Sequence, residues 1–186
     1  MNDLSPGFSS ALDAQACFRA ILSAFSTPGR IVTLPATLPP PSGLSPASAA
    51  LLLTLADTHT KVALPTASHA HDWLTFHTGA PLSPAAEADF YAATARPALS
   101  DLRQGSDAKP EDGATLILDV ERLDGPAFRL SGPGLKTDII VPLPLDPGFI
   151  AEWQAQTHNA PRGVDLILCA GNQILALPRS LHIEEG

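Results

Sequence analysis

The sequence predicts an α/β domain of three layers around a mixed sheet. Apolar helical segments alternate with short apolar strands, and some strands return as hairpins. Helix–strand alternation favours a sheet covered on both faces, and hairpins add antiparallel neighbours to it. The length, 186 residues with 45% apolar, suits one domain and is marginal for two, so residues 1–186 read as a single unit.

Ser10 to Ser26 has the spacing of an amphipathic helix. Phe18, Ile21, Leu22 and Phe25 follow i, i+3, i+4, i+7 and predict its core face. Ser10 suits its N-cap, Asp13 favours the positive helix end, and Pro28-Gly29 stops it. Arg30 to Leu34 reads as a short strand, and the proline-rich stretch Pro35 to Pro46 as a loop. Ser45-Pro46 opens a second helix running through Leu55, apolar nearly all round and therefore buried. Lys61 to Leu64 is a strand, and His71 to His77 a short helix with Trp73, Leu74 and His77 on one face. Ala88 to Ala92 is read as strand, and Ser100 to Gln104 as one helical turn stopped by Gly105. Ala114 to Leu123 is the clearest strand, and Ala127 to Leu130 is expected to return as its hairpin partner. Ser131 to Gly134 is a tight loop. Pro147 to Thr157 is a helix with Phe149, Ile150 and Trp153 on one face. A closing hairpin joins Val164–Ala170 to Ile174–Leu177.

Composition narrows the function. A net charge of -8 with three lysines, Lys61, Lys109 and Lys136, argues against a nucleic-acid partner. No apolar run approaches the roughly 20 residues of a spanning helix, and no secretory leader pattern is visible, so the expectation is no membrane and a cytoplasmic protein. Cys17 and Cys169 lie far apart in apolar contexts and read as buried free thiols.

Searches for chemistry are mostly negative. His69, His71 and His77 match no standard zinc spacing, with His69 expected in a loop; His77 reads as a partly buried histidine held by local groups. Ser131-Gly-Pro-Gly134 is neither a Walker nor a dinucleotide loop, and Pro133 removes one amide donor. No GxSxG, HExxH or SxxK occurs, and Ser26-Thr-Pro-Gly29 has hydroxyls without a base. Asp57 follows the buried helix, where an Asp caps backbone amides more often than it acts as a base. Asp165 and Arg179 are the best charged pair, readable as a structural ion pair or as part of a docking edge. A two-residue turn at Gly171-Asn172 sets Asp165 opposite Pro178. A three-residue loop, Gly171 to Gln173, sets it opposite Arg179, and this second register is the one expected.

One family shares these segments in order. Gln15-x-x-Phe18-Arg19, Pro28-Gly29-x-Ile31-Val32, Leu51 to Asp57, Phe76 to Pro81, Gly113 to Leu118, Leu130 to Gly134, Gly163 to Leu168 and Ala176 to Arg179 together resemble the PhnH family, over nearly the whole chain. The resemblance implies a subunit of the bacterial carbon–phosphorus lyase machinery. Such subunits act with companions in forming ribose 1-phosphonate 5-triphosphate from ATP and an alkylphosphonate with release of adenine. It also implies a fold like the large domain of pyridoxal-phosphate transferases without the cofactor, partners among the other lyase subunits, and a homodimer in isolation. No catalytic residue is carried over. Asp57, His77, Asp165 and Arg179 stand as structural or interface candidates. Two other readings remain open: a stand-alone enzyme with a pocket near Asp57, His77 and Arg179, or a phosphonate- or nucleotide-binding module using Arg19, Arg162 and Arg179.

Overall fold

The structure is a computed structural model that describes residues 5–36, 38–64 and 69–186, the side chain of His69 excepted. The chain runs α1 (Ala11–Ser26), β1 (Ile31–Thr33), α2 (Pro46–Leu55), β2 (Val62–Ala63), α3 (His69–Thr78), β3 (Phe90–Ala93), β4 (Thr115–Asp119), β5 (Ala127–Ser131), β6 (Ile139–Pro142), α4 (Pro147–Thr157), β7 (Asp165–Ala170), β8 (Gln173–Leu177) and β9 (His182–Glu185).

The main sheet has six strands in the order β1-β8-β7-β4-β3-β2. β2, β3, β4 and β7 are mutually parallel, while β8 and β1 add antiparallel strands, so the sheet is mixed as expected. Successive residues of a strand point to opposite faces. Ile117, Ile167, Cys169, Ile174 and Ala176 enter one core with α1, α2 and α3. Leu116, Leu118, Leu166, Leu168, Leu175 and Leu177 enter a second core with α4 and a small antiparallel sheet, β6-β5-β9. Both faces are covered, which is why these strands read as continuous apolar runs.

Local signals set the helix starts. Ser10 Oγ accepts from Asp13 N at 3.3 Å while the Asp13 carboxylate accepts from Ser10 N at 3.0 Å, a reciprocal capping box. Ser45 Oγ accepts from Ser48 N at 3.1 Å, with Pro46 in the first helical position. Asp146, just ahead of the helix expected from Pro147, caps α4 through Phe149 N at 2.9 Å.

Several expectations are corrected. The buried line of α1 is Cys17, Ile21 and Ala24; Phe18 and Leu22 are exposed. Ile21 lies in the buried line as expected and Phe25 packs partly buried against the same core, so only Phe18 and Leu22 of the expected face turn outward. β4 stops at Asp119, and β5 does not return beside it: β5 joins β6 and β9 in the second sheet. Neither β6 nor β9 was predicted. His69 begins α3 instead of lying in a loop. A short 3-10 turn, Leu99–Asp101, replaces the helical turn expected at Ser100 to Gln104, and β3 begins two residues later than predicted.

The closing hairpin also takes the other register. Leu166 pairs with Leu177 and Ala170 with Gln173, around a two-residue turn at Gly171-Asn172. Gly171 has φ +58° while Asn172, like every non-glycine among the described residues, does not have positive φ, the pattern of a type II′ turn, whose twist suits adjoining strands. The expected three-residue loop is therefore overturned.

Candidate functional site

Asp165 opens β7, and Arg179 follows β8. The pair forms although the register does not place the two residues opposite each other. Past Leu177 the chain turns, with Leu181 N donating to Pro178 O at 3.0 Å, and this carries Arg179 back over the start of β7. Arg179 donates to Asp165 from its backbone N (2.7 Å), Nε (3.1 Å) and Nη2 (2.5 Å). Nη1 donates to Pro110 O at 2.7 Å and Nη2 to Gly113 O at 3.3 Å. The side chains of Arg179 and Asp165 are 17% and 19% exposed. Four of the five guanidinium N–H groups are thus committed to three residues in two segments of the chain. Gly113 is required for this approach: a Cβ there would overlap Arg179 Nη1 and the Gly163 carbonyl oxygen. One free donor is a poor basis for gripping a phosphate, and neither Asp165 nor Arg179 is hydrogen-bonded to a nucleophile.

His77 and Asp57 lie in separate networks. His77 Nε2 donates to Ser5 O at 3.0 Å, which also accepts from Trp73 Nε1 at 2.7 Å, so α3 anchors the segment before α1. The His77 ring is edge-on to Trp73 and Phe76, at centroid distances of 5.0 and 5.1 Å. His71 Nε2 meets Leu64 O at 3.2 Å. Asp57 accepts from His59 N at 2.8 Å and Thr60 Oγ1 at 2.9 Å, and the His59 amide foremost holds its carboxyl below the usual range. This is the local capping geometry anticipated for it. Asp165 and Arg179 come together; Asp57 and His77 share no partner with them. None of the four lines the surface clefts at Leu99 and Gln156, Lys61 and Asp112, Arg122 and Gln173, or His158 and Ile183. Among the described residues no group of three His, Cys, Asp or Glu is arranged around a metal position.

Two networks escaped sequence reasoning. At the C-terminal end of β4, Asp119 accepts from Ser45 N (3.1 Å), Ser45 Oγ (2.6 Å) and Ser48 Oγ. Open α/β sheets often bind ligands at such strand ends. Here the protein's own groups occupy the facing helix end, since Ala47 N also donates to Gly171 O at 2.9 Å. Cys169 lies beside Asp119 across the ladder, and burial first, then the Asp119 charge, pushes its thiol well above the usual range. The sequence shows a carboxylate ending an apolar run, but not its partners 74 and 71 residues away.

The second network joins Arg96 to α4. Arg96 Nε and Nη2 donate to Asp146 at 2.8 and 3.2 Å, and Nη1 to Glu152 at 2.8 Å. A cleft of about 490 Å³ lined by His59, Lys61, Glu87, Asp89, Arg103 and Asp112 looks more reactive. Its cations are already paired, Lys61 with Glu87 at 3.0 Å, and Arg103 with Asp89 at 2.6 Å and Asp112 at 3.0 Å.

Fold and site therefore define an α/β domain whose charged side chains mainly tie segments together. The chain matches the family described as bacterial phosphonate metabolism protein (PhnH) over residues 6–184, and it belongs to that family. It is 36% identical over 181 residues to the alpha-D-ribose 1-methylphosphonate 5-triphosphate synthase subunit PhnH of Rhizobium meliloti (strain 1021), covering 92% of this chain and 90% of the relative. It is 35% identical over 172 residues to HtxG of Stutzerimonas stutzeri, named as a candidate C-P lyase subunit, covering 91% of this chain and 85% of the relative.

Proposed function

We propose that this chain is an accessory subunit of a carbon–phosphorus lyase complex. It supports formation of alpha-D-ribose 1-methylphosphonate 5-triphosphate from ATP and methylphosphonate, with release of adenine, and does not carry the reacting groups itself. The carrying observation is the near-complete commitment of Arg179, one of the three arginines considered for anion binding, to Asp165, Pro110 and Gly113. Asp57, His77, Asp165 and Arg179 act as structural supports in this reading. The relatives' names support the assembly, and the absence of a helix long and apolar enough to cross a membrane, among the described residues, fits a cytoplasmic location.

The architecture is further read as that of the large domain of pyridoxal-phosphate transferases without the cofactor. Schiff-base chemistry needs a lysine with a depressed pKa. Lys61 instead sits in an ion pair with Glu87 at 3.0 Å. The isolated chain is taken to form a homodimer.

Reconstitution tests the function. Companion subunits with this chain should consume ATP and methylphosphonate and release adenine, while the isolated chain turns over neither. Full activity of the companions without it, or turnover by the chain alone, would reject the proposal.

A further inference from the structure

α1 carries more apolar surface than the core uses. Opposite its buried line, Leu12, Phe18 and Leu22 remain 72%, 44% and 54% exposed. Phe18 and Leu22 are one turn apart, so they stand together on the helix surface. The other exposed positions of α1 are Ala11, Gln15, Arg19, Ser23 and Ser26, which leaves Arg19 as the one charge among them. Beyond the helix, exposed Arg30 and Ile31 continue at β1, an edge strand of the main sheet. Among the described residues, no carboxylate pairs with Arg19 or Arg30. On a molecule of net charge -8, an apolar helix face bordered by unpaired arginines stands apart from the surface around it.

We propose that the outer face of α1, centred on Phe18 and Leu22 with Arg19 at its rim, docks a companion subunit that offers an apolar patch bordered by carboxylates. The proposal rests on the accessory-subunit reading and assigns that role a surface. Interface centres are rich in aromatic residues and Arg and poor in Lys, Glu and Asp, as this face is. Charge decides against a second copy as the occupant. Two-fold packing of α1 on α1 would set the same residues on both sides. Asp13 is the helix's single carboxylate; it is half-buried and held by Ser9 and Ser10, so Arg19 would meet no acid on the opposing helix. A stable interface covers roughly 800 Å² on each partner, more than one helix face supplies, so the contact extends towards Ile31 at β1.

The test is co-expression of the full chain, wild type or variant, with its companion subunits, followed by affinity capture and mass measurement. Leu22→Glu should reduce recovery of the companions by about tenfold or more, as loss of a central contact does, and Arg19→Glu should reduce it too, because it sets a carboxylate against the partner's carboxylates at the rim. Thermal unfolding and the mass of each isolated variant should match wild type. Phe18→Ala serves as a third variant should Leu22→Glu fold poorly. Wild-type capture with undiminished capture by all folded variants would overturn the surface and leave the accessory role intact. Variants that retain companions but lose self-association would assign the face to copies of this chain, overturning the proposal. No capture by wild type would reject the accessory role itself.

Discussion

Arg179 acts as a fixed set of donors more than as a charge. Its fork reaches Asp165 and the carbonyls of Pro110 and Gly113 at once, tying the exit of β8 to the start of β7 and to the segment before β4. Removing one member of a largely buried pair leaves the other without compensation. Arg179→Ala should therefore cost about 2–3 kcal/mol, a little less than a fully buried pair because both side chains keep some solvent. It would be read from the urea midpoint at unchanged slope. Arg179→Lys should recover little of this, since a single ammonium cannot span three acceptors. Activity of the assembled complex, per folded protein, should survive. Normal stability of Arg179→Ala with lost activity would return Arg179 to a chemical role.

α4 shows how one loop residue secures an entire helix. Asp146 caps it, and Arg96 both grips Asp146 and lies 5.5 Å from the centre of the Phe149 ring. Arg96 foremost, then the Phe149 amide, holds the Asp146 carboxyl below the usual range. The folded state therefore favours the charged form. The resulting stability is fully present above the ordinary carboxylate pKa of about 4, and is lost as pH falls through the lower folded value. Asp146 is half exposed, so the pair contributes under about 1 kcal/mol. Asp146→Asn keeps a capping oxygen but loses the ion pair. Its stability should lie slightly below wild type at neutral pH and converge with it in acid. A constant offset through the acid limb would mean that the cap, not the charge, carries the effect. Such local devices were partly legible in the sequence: Ser10 with Asp13, Ser45-Pro46, and the Phe149, Ile150, Trp153 face all rest on spacings of a few residues. The face of α1 was misjudged because its apolar stripe is wide, and only packing shows that the side with Cys17 and Ala24 turns inward. β5 was paired with the wrong strand because nearness in sequence suggested a hairpin, whereas its partners are Ile139–Pro142 and His182–Glu185. β9, His-Ile-Glu-Glu, has little apolar signal of its own. The Asp165–Arg179 pair was legible as two opposite charges flanking a hairpin. Its carbonyl partners, 66 and 69 residues from Arg179, were not.

The main sheet is the common wall of two cores, and this has a thermodynamic consequence. Ile167 and Leu168 are neighbours on β7 yet serve opposite sides, one packed with α1 to α3 and the other with α4 and the small sheet. Neither layer can keep its apolar face dry without the sheet, and the sheet cannot stand with either face bare. Both layers should consequently unfold together, as one domain over residues 1–186. The chain supplies a reporter on each side, since Trp73 is fully buried in the first core and Trp153 in the second. Trp153→Phe leaves Trp73 as the fluorescent probe, and Trp73→Phe leaves Trp153. In urea the two probes should give coincident transitions, the mark of two-state behaviour. Leu168→Ala, made in each background, should cost about 2–5 kcal/mol and displace both probes equally, although Leu168 faces only the second core. Ile167→Ala should do the same from the first core. A Leu168→Ala variant that shifted the Trp153 transition while leaving that of Trp73 in place would show two folding units on one sheet, and the single-domain reading would fail.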